Sequence, residues 1–205
     1  MRGSIKFLLP IAALTATAAT WIFFKPIRAL LPELANVRCY EHGVCIDDPT
    51  RLAEATALRL QASAFVEHAL GNVDHKPRVI FCATDVCERH FGFKGNAAFS
   101  LGNRAVVVAS RGWQPYFVQH ELIHCVQVER IGGIRMWLST PTWLVEGMAY
   151  SMSGDPRHPL QAPWESYRAQ YQEWAKQSAG AELWLVLTRF HGQLWDSIIE
   201  PVRLQ

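Results

Sequence analysis

Tyr116-Phe117-Val118-Gln119-His120-Glu121-Leu122-Ile123-His124-Cys125-Val126-Gln127 is the stretch on which the reading of this chain turns. It lies inside Pro115 to Ile131, a run that predicts a helix stopped by Gly132-Gly133. On a helix, side chains four apart share a face with Cβ atoms about 5–6 Å apart. His120 and His124 can therefore reach one metal ion together. Glu121 stands one step further round, so its carboxylate can take a proton from water near such an ion without displacing a ligand. Phe117, Val118, Leu122, Ile123 and Val126 supply an apolar surround that limits water.

Two histidines do not complete a catalytic metal site, and a third protein ligand is required. A metzincin would continue with Gly at 127 and His at 130, whereas this chain has Gln127 and Arg130. Glu129 falls one and a half turns from His124, on a different face. The remaining candidate is Glu146, 22 residues after His124 in the next expected helix. It stands in Trp143-Leu144-Val145-Glu146-Gly147-Met148-Ala149-Tyr150. This segment resembles the glutamate helix of the gluzincins, the thermolysin-like zinc peptidases, and most of all their aminopeptidase branch. The resemblance implies Zn²⁺ held by His120, His124 and Glu146, with Glu121 as general base and peptide bonds as substrate. Gly147 is expected to let the two helices approach closely.

The resemblance extends weakly upstream. Gly95-Asn96-Ala97-Ala98-Phe99 is similar to the edge strand along which thermolysin-like enzymes hold substrate backbone. Asn96, Ala97 and Ala98 are thereby the candidate substrate-binding residues, and small side chains there leave room for an added strand. Residues 95–155 carry the likeness well and 180–195 loosely. There are two departures. Tyr150 stands where those enzymes have an Asp that orients the first His, leaving Tyr150 itself or Asp155 for that role. No tyrosine occupies the usual oxyanion position, and Tyr171 and His191 are the nearest substitutes.

The rest of the chain reads as helix, small sheet, then helices, which is α+β. Pro49 to Leu70 is expected to be helical, with strands at Arg78–Cys82, Gly95–Gly102 and Ala105–Ala109. Thr140 is expected to cap, and Pro141 to begin, a helix ending near Gly154. Pro163–Lys176 and Gly180–Leu194 are read as two more helices. The fold expected is thus a small gluzincin-like domain, a short mixed sheet with an active-site helix and a glutamate helix. An N-terminal transmembrane helix is expected in addition. Phe7 to Phe24 is uncharged over 18 residues, about 27 Å as a helix. A cleaved signal ending near Ala16-Thr17-Ala18 competes with an uncleaved anchor, which Trp21-Ile22-Phe23-Phe24 favours by prolonging the run. The expected domains are 1–25 as anchor or signal, 26–48 as tether and cap, and 49–205 as the metallopeptidase-like domain.

Cys39/Cys45 and Cys82/Cys87 are close enough in sequence to close two local disulfides, which would place the domain outside the cytoplasm. Four thiols or a zinc knot are the alternatives, although neither pair has C-x2-C spacing. Cys125 is left over as a buried thiol. Half the residues are hydrophobic and 19% charged, which excludes a disordered chain. Net charge of +2 without a basic run argues against nucleic acid as partner. The expectation is a membrane-anchored, extracytoplasmic zinc metallopeptidase, periplasmic if bacterial. It would act on a peptide or protein substrate, with a protein partner compatible. The alternative is a non-catalytic gluzincin-fold module that retains zinc and binds peptide or aids assembly.

Overall fold

A computed structural model of the chain describes residues 20, 21, 24–177 and 184. Five strands form one mixed sheet in the order β1-β2-β3-β5-β4. They are β1 (Arg38–Cys39), β2 (Val44–Ile46), β3 (Arg78–Phe81), β4 (Ala98–Leu101) and β5 (Ala105–Val108). β2, β3 and β5 run parallel, while β1 and β4 close the two edges antiparallel. The helices are α1 (Leu52–Leu70), α2 (Asp85–Phe91), α3 (Pro115–Ile131), α4 (Gly133–Ser139), α5 (Thr142–Met152) and α6 (Trp164–Gln177).

Parallel strands need cover on both faces, and the period of two divides their side chains between two cores. Val44, Ile46, Val79, Phe81, Val106 and Val108 face α1 and α3 in the larger core. Cys45, Ile80, Ala105 and Val107 face the other way, under Ala29, Ala35 and Val37 and against Phe91 of α2. The stretch 26–48, expected to be an irregular tether and cap, does cover the second core with Ala29, Ala35 and Val37, and it also supplies two strands that were not expected. Its apolar residues were too few and too interrupted by Pro26 and Pro32 to show a period.

The transmembrane helix is corrected. No helix among the described residues is long and apolar enough to cross a membrane. Thr20 and Trp21 are helical, but Phe24 leaves helical geometry and a 3-10 turn with Pro26 in its first turn follows. Arg28 donates to the carbonyl of Trp21 before the turn and to that of His90, which ties the turn to the domain. The remainder of 7–24 and the signal-cleavage alternative lie outside the described residues, as does the expected helix 180–194 apart from Trp184.

Both disulfides, Cys39–Cys45 and Cys82–Cys87, are formed, and Cys125 is a buried free thiol. The first joins residues directly opposite across β1 and β2. The second ties the end of β3 to the first turn of α2, whose amide at Cys87 is capped by the Thr84 hydroxyl. Two helices, α2 and α4, went unread in the sequence because each is only seven residues long. The expected cap at Thr140 is replaced: α5 begins after Pro141, which holds the cap position and offers no side-chain acceptor.

Candidate metal centre

α3 and α5 pack against each other and bring three side chains to one point. The Nε2 atoms of His120 and His124 lie 3.1 Å apart. Glu146 Oε2 is 3.5 Å from His120 Nε2, and Glu146 Oε1 is 3.7 Å from His124 Nε2. Ligands about 2.0–2.1 Å from a tetrahedral ion would be separated by roughly 3.3–3.4 Å. The three observed edges bracket that spacing, so the donor set fits a small divalent cation. His120 and His124 are buried and Glu146 is half-buried.

The charges explain why the cluster wants a cation. Burial alone would lower the His124 pKa, but the hydrogen bond to Glu146 and the nearby Glu121 charge raise it to about 9. Burial alone would raise Glu146, yet hydrogen bonding to His120 and His124 holds it well below the usual carboxylate range. A proton held on His124 beside the Glu146 and Glu121 carboxylates is the charge that a metal ion would replace.

Gln127 orients the cluster from behind. Its Oε1 is 2.8 Å from His124 Nδ1, and its Nε2 donates to the Val145 carbonyl at 2.9 Å. With Nε2 committed as donor, Oε1 accepts from Nδ1–H and leaves the His124 Nε2 lone pair for a metal. The sequence reading passed over Gln127 after using it to exclude the metzincins, although three residues after His124 is a spacing at which helix side chains meet.

Glu129 is ruled out as a ligand by its own contacts. Its two oxygens accept from the amides of Asp74 and His75 at 3.0 Å each. Asp155 does not orient His120, since Arg157 holds its carboxylate. Tyr150 packs its ring on His120 at 4.4 Å between centroids. Burial and the Glu146 charge push its phenol up to about 12, so it remains protonated at neutral pH. Tyr171 is buried with its hydroxyl on Met152 Sδ, which removes it as an oxyanion donor, and His191 lies outside the described residues.

His120 and Glu121 border an open cleft that also takes in Gly95, Asn96, Ala97 and Ala98. All three expected substrate-binding residues therefore line the same cleft as His120 and Glu121, at the start of edge strand β4. The exposed Asn96 side chain bonds locally, donating to the Ala98 carbonyl at 3.1 Å. Arg111 fixes the loop by donating to the carbonyls of Gly95 and Asn96, and Glu88 fixes Arg111 at 2.7 Å. Gly112 permits this approach: a Cβ there would lie 2.2 Å from the Ala97 carbonyl oxygen. The segment 155–164 completes the cleft with Asp155, Arg157, Leu160, Gln161 and Trp164. Apart from Asp155, which the sequence offered for another role, nothing signalled that segment or the Glu88–Arg111 pair, because both depend on contacts between distant parts of the chain.

Gly147 is a correction. A Cβ at that position would lie 2.2 Å from the Tyr167 carbonyl oxygen and 2.8 Å from Tyr171 Cβ. The glycine therefore admits α6 behind α5, on the side away from the histidine helix. No family model, curated protein or solved structure matches this chain.

Proposed function

We propose that this chain is a zinc-dependent peptidase of gluzincin type, in which His120, His124 and Glu146 hold the metal and Glu121 is the general base. The observation that carries the reading is the convergence of two imidazole Nε2 atoms and one carboxylate at ligand spacing, beside a second buried carboxylate. Two histidines with one glutamate are a donor set of catalytic zinc sites. A zinc ion bound there supplies Lewis-acid chemistry, polarising a carbonyl and acidifying water. The residues of the chain do the rest. Gln127 keeps His124 in the ligating tautomer. Glu121 lines the cleft without joining the cluster, so it is free to take a proton from the attacking water and deliver it to the leaving amine. An extended peptide can lie along the open edge of β4, held at the loop of Asn96 and Ala97. The Tyr150 phenol, protonated and in the same cleft, is available to the developing oxyanion. Two disulfides favour an oxidising compartment, so the proposed place of action is outside the cytoplasm.

The test combines metal content with one substitution. The purified chain should carry about one zinc, and His120→Ala, His124→Ala and Glu146→Ala should each abolish it. Glu121→Gln should keep zinc and fold while hydrolysis of a peptide library falls at least ~100-fold. Full turnover by Glu121→Gln would remove the peptidase mechanism. A zinc-loaded wild type without hydrolysis would move the reading to a non-catalytic, peptide-binding module.

A further inference from the structure

Arg157 is built for a second, incoming carboxylate. Its Nε donates to Asp155 Oδ1 at 2.9 Å and its Nη2 to Asp155 Oδ2. Those bonds occupy one side of the guanidinium. Nη1 makes no hydrogen bond among the described residues. A guanidinium has five N–H donors in a fixed plane, so the end formed by Nη1 and Nη2 still presents a matched pair of N–H groups. That end is the geometry that takes a carboxylate through two parallel hydrogen bonds.

The group is also held still. Its plane lies over Phe117 at 4.6 Å and Tyr116 at 5.3 Å from the ring centroids. Its backbone is pinned at both ends: the amide donates to Asp155 Oδ1 at 3.0 Å, and the carbonyl accepts from buried Arg168 at 3.0 Å. The Asp155 side chain is 2% exposed while that of Arg157 is 42% exposed. The anchoring half of the pair is thus sealed and the donor half faces solvent. The other cleft arginine differs, because Arg111 spends its donors on Glu88, Gly95 and Asn96.

We infer that the cleft selects substrates bearing a carboxylate, which docks on the free Nη1/Nη2 end of Arg157 about one helical turn from Glu121. The inference rests on the peptidase reading and names its substrate class. Phe117 precedes Glu121 by four residues, about 6 Å along the helix axis, and the guanidinium packs against the Phe117 ring. Extended chain advances about 3.3–3.6 Å per residue, which puts the carboxylate one or two residues from the bond over Glu121. Asp155 and Arg157 cancel in charge, so the pair itself does not repel an arriving anion, which gains two charge-assisted hydrogen bonds. A C-terminal carboxylate and an Asp or Glu side chain offer the same chemistry.

Four peptides separate these sources and test the idea. One pair differs only in a free or amidated C-terminus one or two residues beyond the scissile bond. The other pair differs in Glu or Gln at that distance. Turnover is measured with the zinc-loaded full chain, and affinity by calorimetry with zinc-loaded Glu121→Gln. The acid member of at least one pair should be favoured ~10-fold or more, mainly in KM and Kd. The pair that responds identifies the source. Arg157→Lys keeps the charge but loses the fork, and should cut the preference to about twofold with zinc content unchanged. Equal turnover and equal affinity for acid and neutral members of both pairs would overturn the inference. If no peptide is cleaved, the peptidase reading falls, and the calorimetric pairs still decide whether Arg157 takes a carboxylate.

Discussion

Gln127 shows how much of the candidate metal cluster is decided by a residue outside the proposed ligand set. It is 1% exposed, and each end of its amide is used once. The Oε1 bond chooses the tautomer of His124, and the Nε2 bond reaches the backbone beside Glu146. One side chain therefore registers α3 against α5 as well as aiming an imidazole. Partners of this kind usually account for 10–100-fold in metal affinity. Gln127→Ala should weaken zinc binding by about that factor, read by competition with a chromogenic chelator. Gln127→Glu should recover part of the loss, because a carboxylate still accepts from Nδ1–H while it cannot donate to Val145. Unchanged affinity in Gln127→Ala would mean that the ring is positioned by packing alone.

At the scale of elements, the site is a crossing of two helices that a third holds in place. α6 lies close behind α5 because Gly147 has no side chain, and this packing leaves Glu146 on the face towards α3. Gly147→Ala gains about 1 kcal/mol of helix propensity but forces α6 outward, and overpacking of this kind costs roughly 1–3 kcal/mol. Net destabilisation in urea is expected, together with weaker zinc retention as Glu146 shifts. A variant as stable as wild type with full zinc would show that α6 yields easily. The helices bearing His120 and Glu146 were legible in the sequence because ligand spacing, apolar pattern and glycine stops all agree along one short stretch. What Gly147 packs against was not legible, since a glycine announces a close approach without naming the neighbour. The strands Val79–Phe81 and Val106–Val108 were legible as β-branched runs. Val44–Ile46 was not, because three residues, the middle one a disulfide cysteine, carry no period. The apolar run 7–24 suggested a membrane span on composition alone, and the contacts of Arg28 could not be read from it.

At the scale of the whole molecule, the two cores and the cleft are joined through Glu88. α2 belongs to the layer that covers the second face of the sheet, with Cys87 and Phe91 in its core. From that layer Glu88 accepts the Ser110 amide at 2.8 Å, the Ser110 hydroxyl at 2.7 Å and Arg111 Nη1 at 2.7 Å. Ser110 and Arg111 lie between β5 and α3, and Arg111 continues to the cleft loop. Burial pushes the Glu88 carboxyl up, but the bonds from Ser110 and the Arg111 charge outweigh it and hold it below its ordinary 4.5. The unfolded chain therefore takes the proton more readily than the folded one. The stabilisation is complete above about pH 4.5 and is lost as pH falls through the lower folded value. Glu88→Gln should be less stable at pH 7 by about 1–3 kcal/mol, since Arg111 loses its anion and Ser110 keeps a weaker acceptor. Its stability should also change less between pH 5 and the acid limit than that of wild type, measured by urea unfolding at matched ionic strength. Glu88 is not one of the proposed metal ligands, so neutral-pH metal content should be unchanged, and under the proposed peptidase reading KM for peptides should rise as the Gly95–Asn96 loop loosens. Parallel stability curves for the two proteins would show that acid unfolding is governed by other carboxylates. A variant with unaltered KM would show that the cleft edge holds without this bridge.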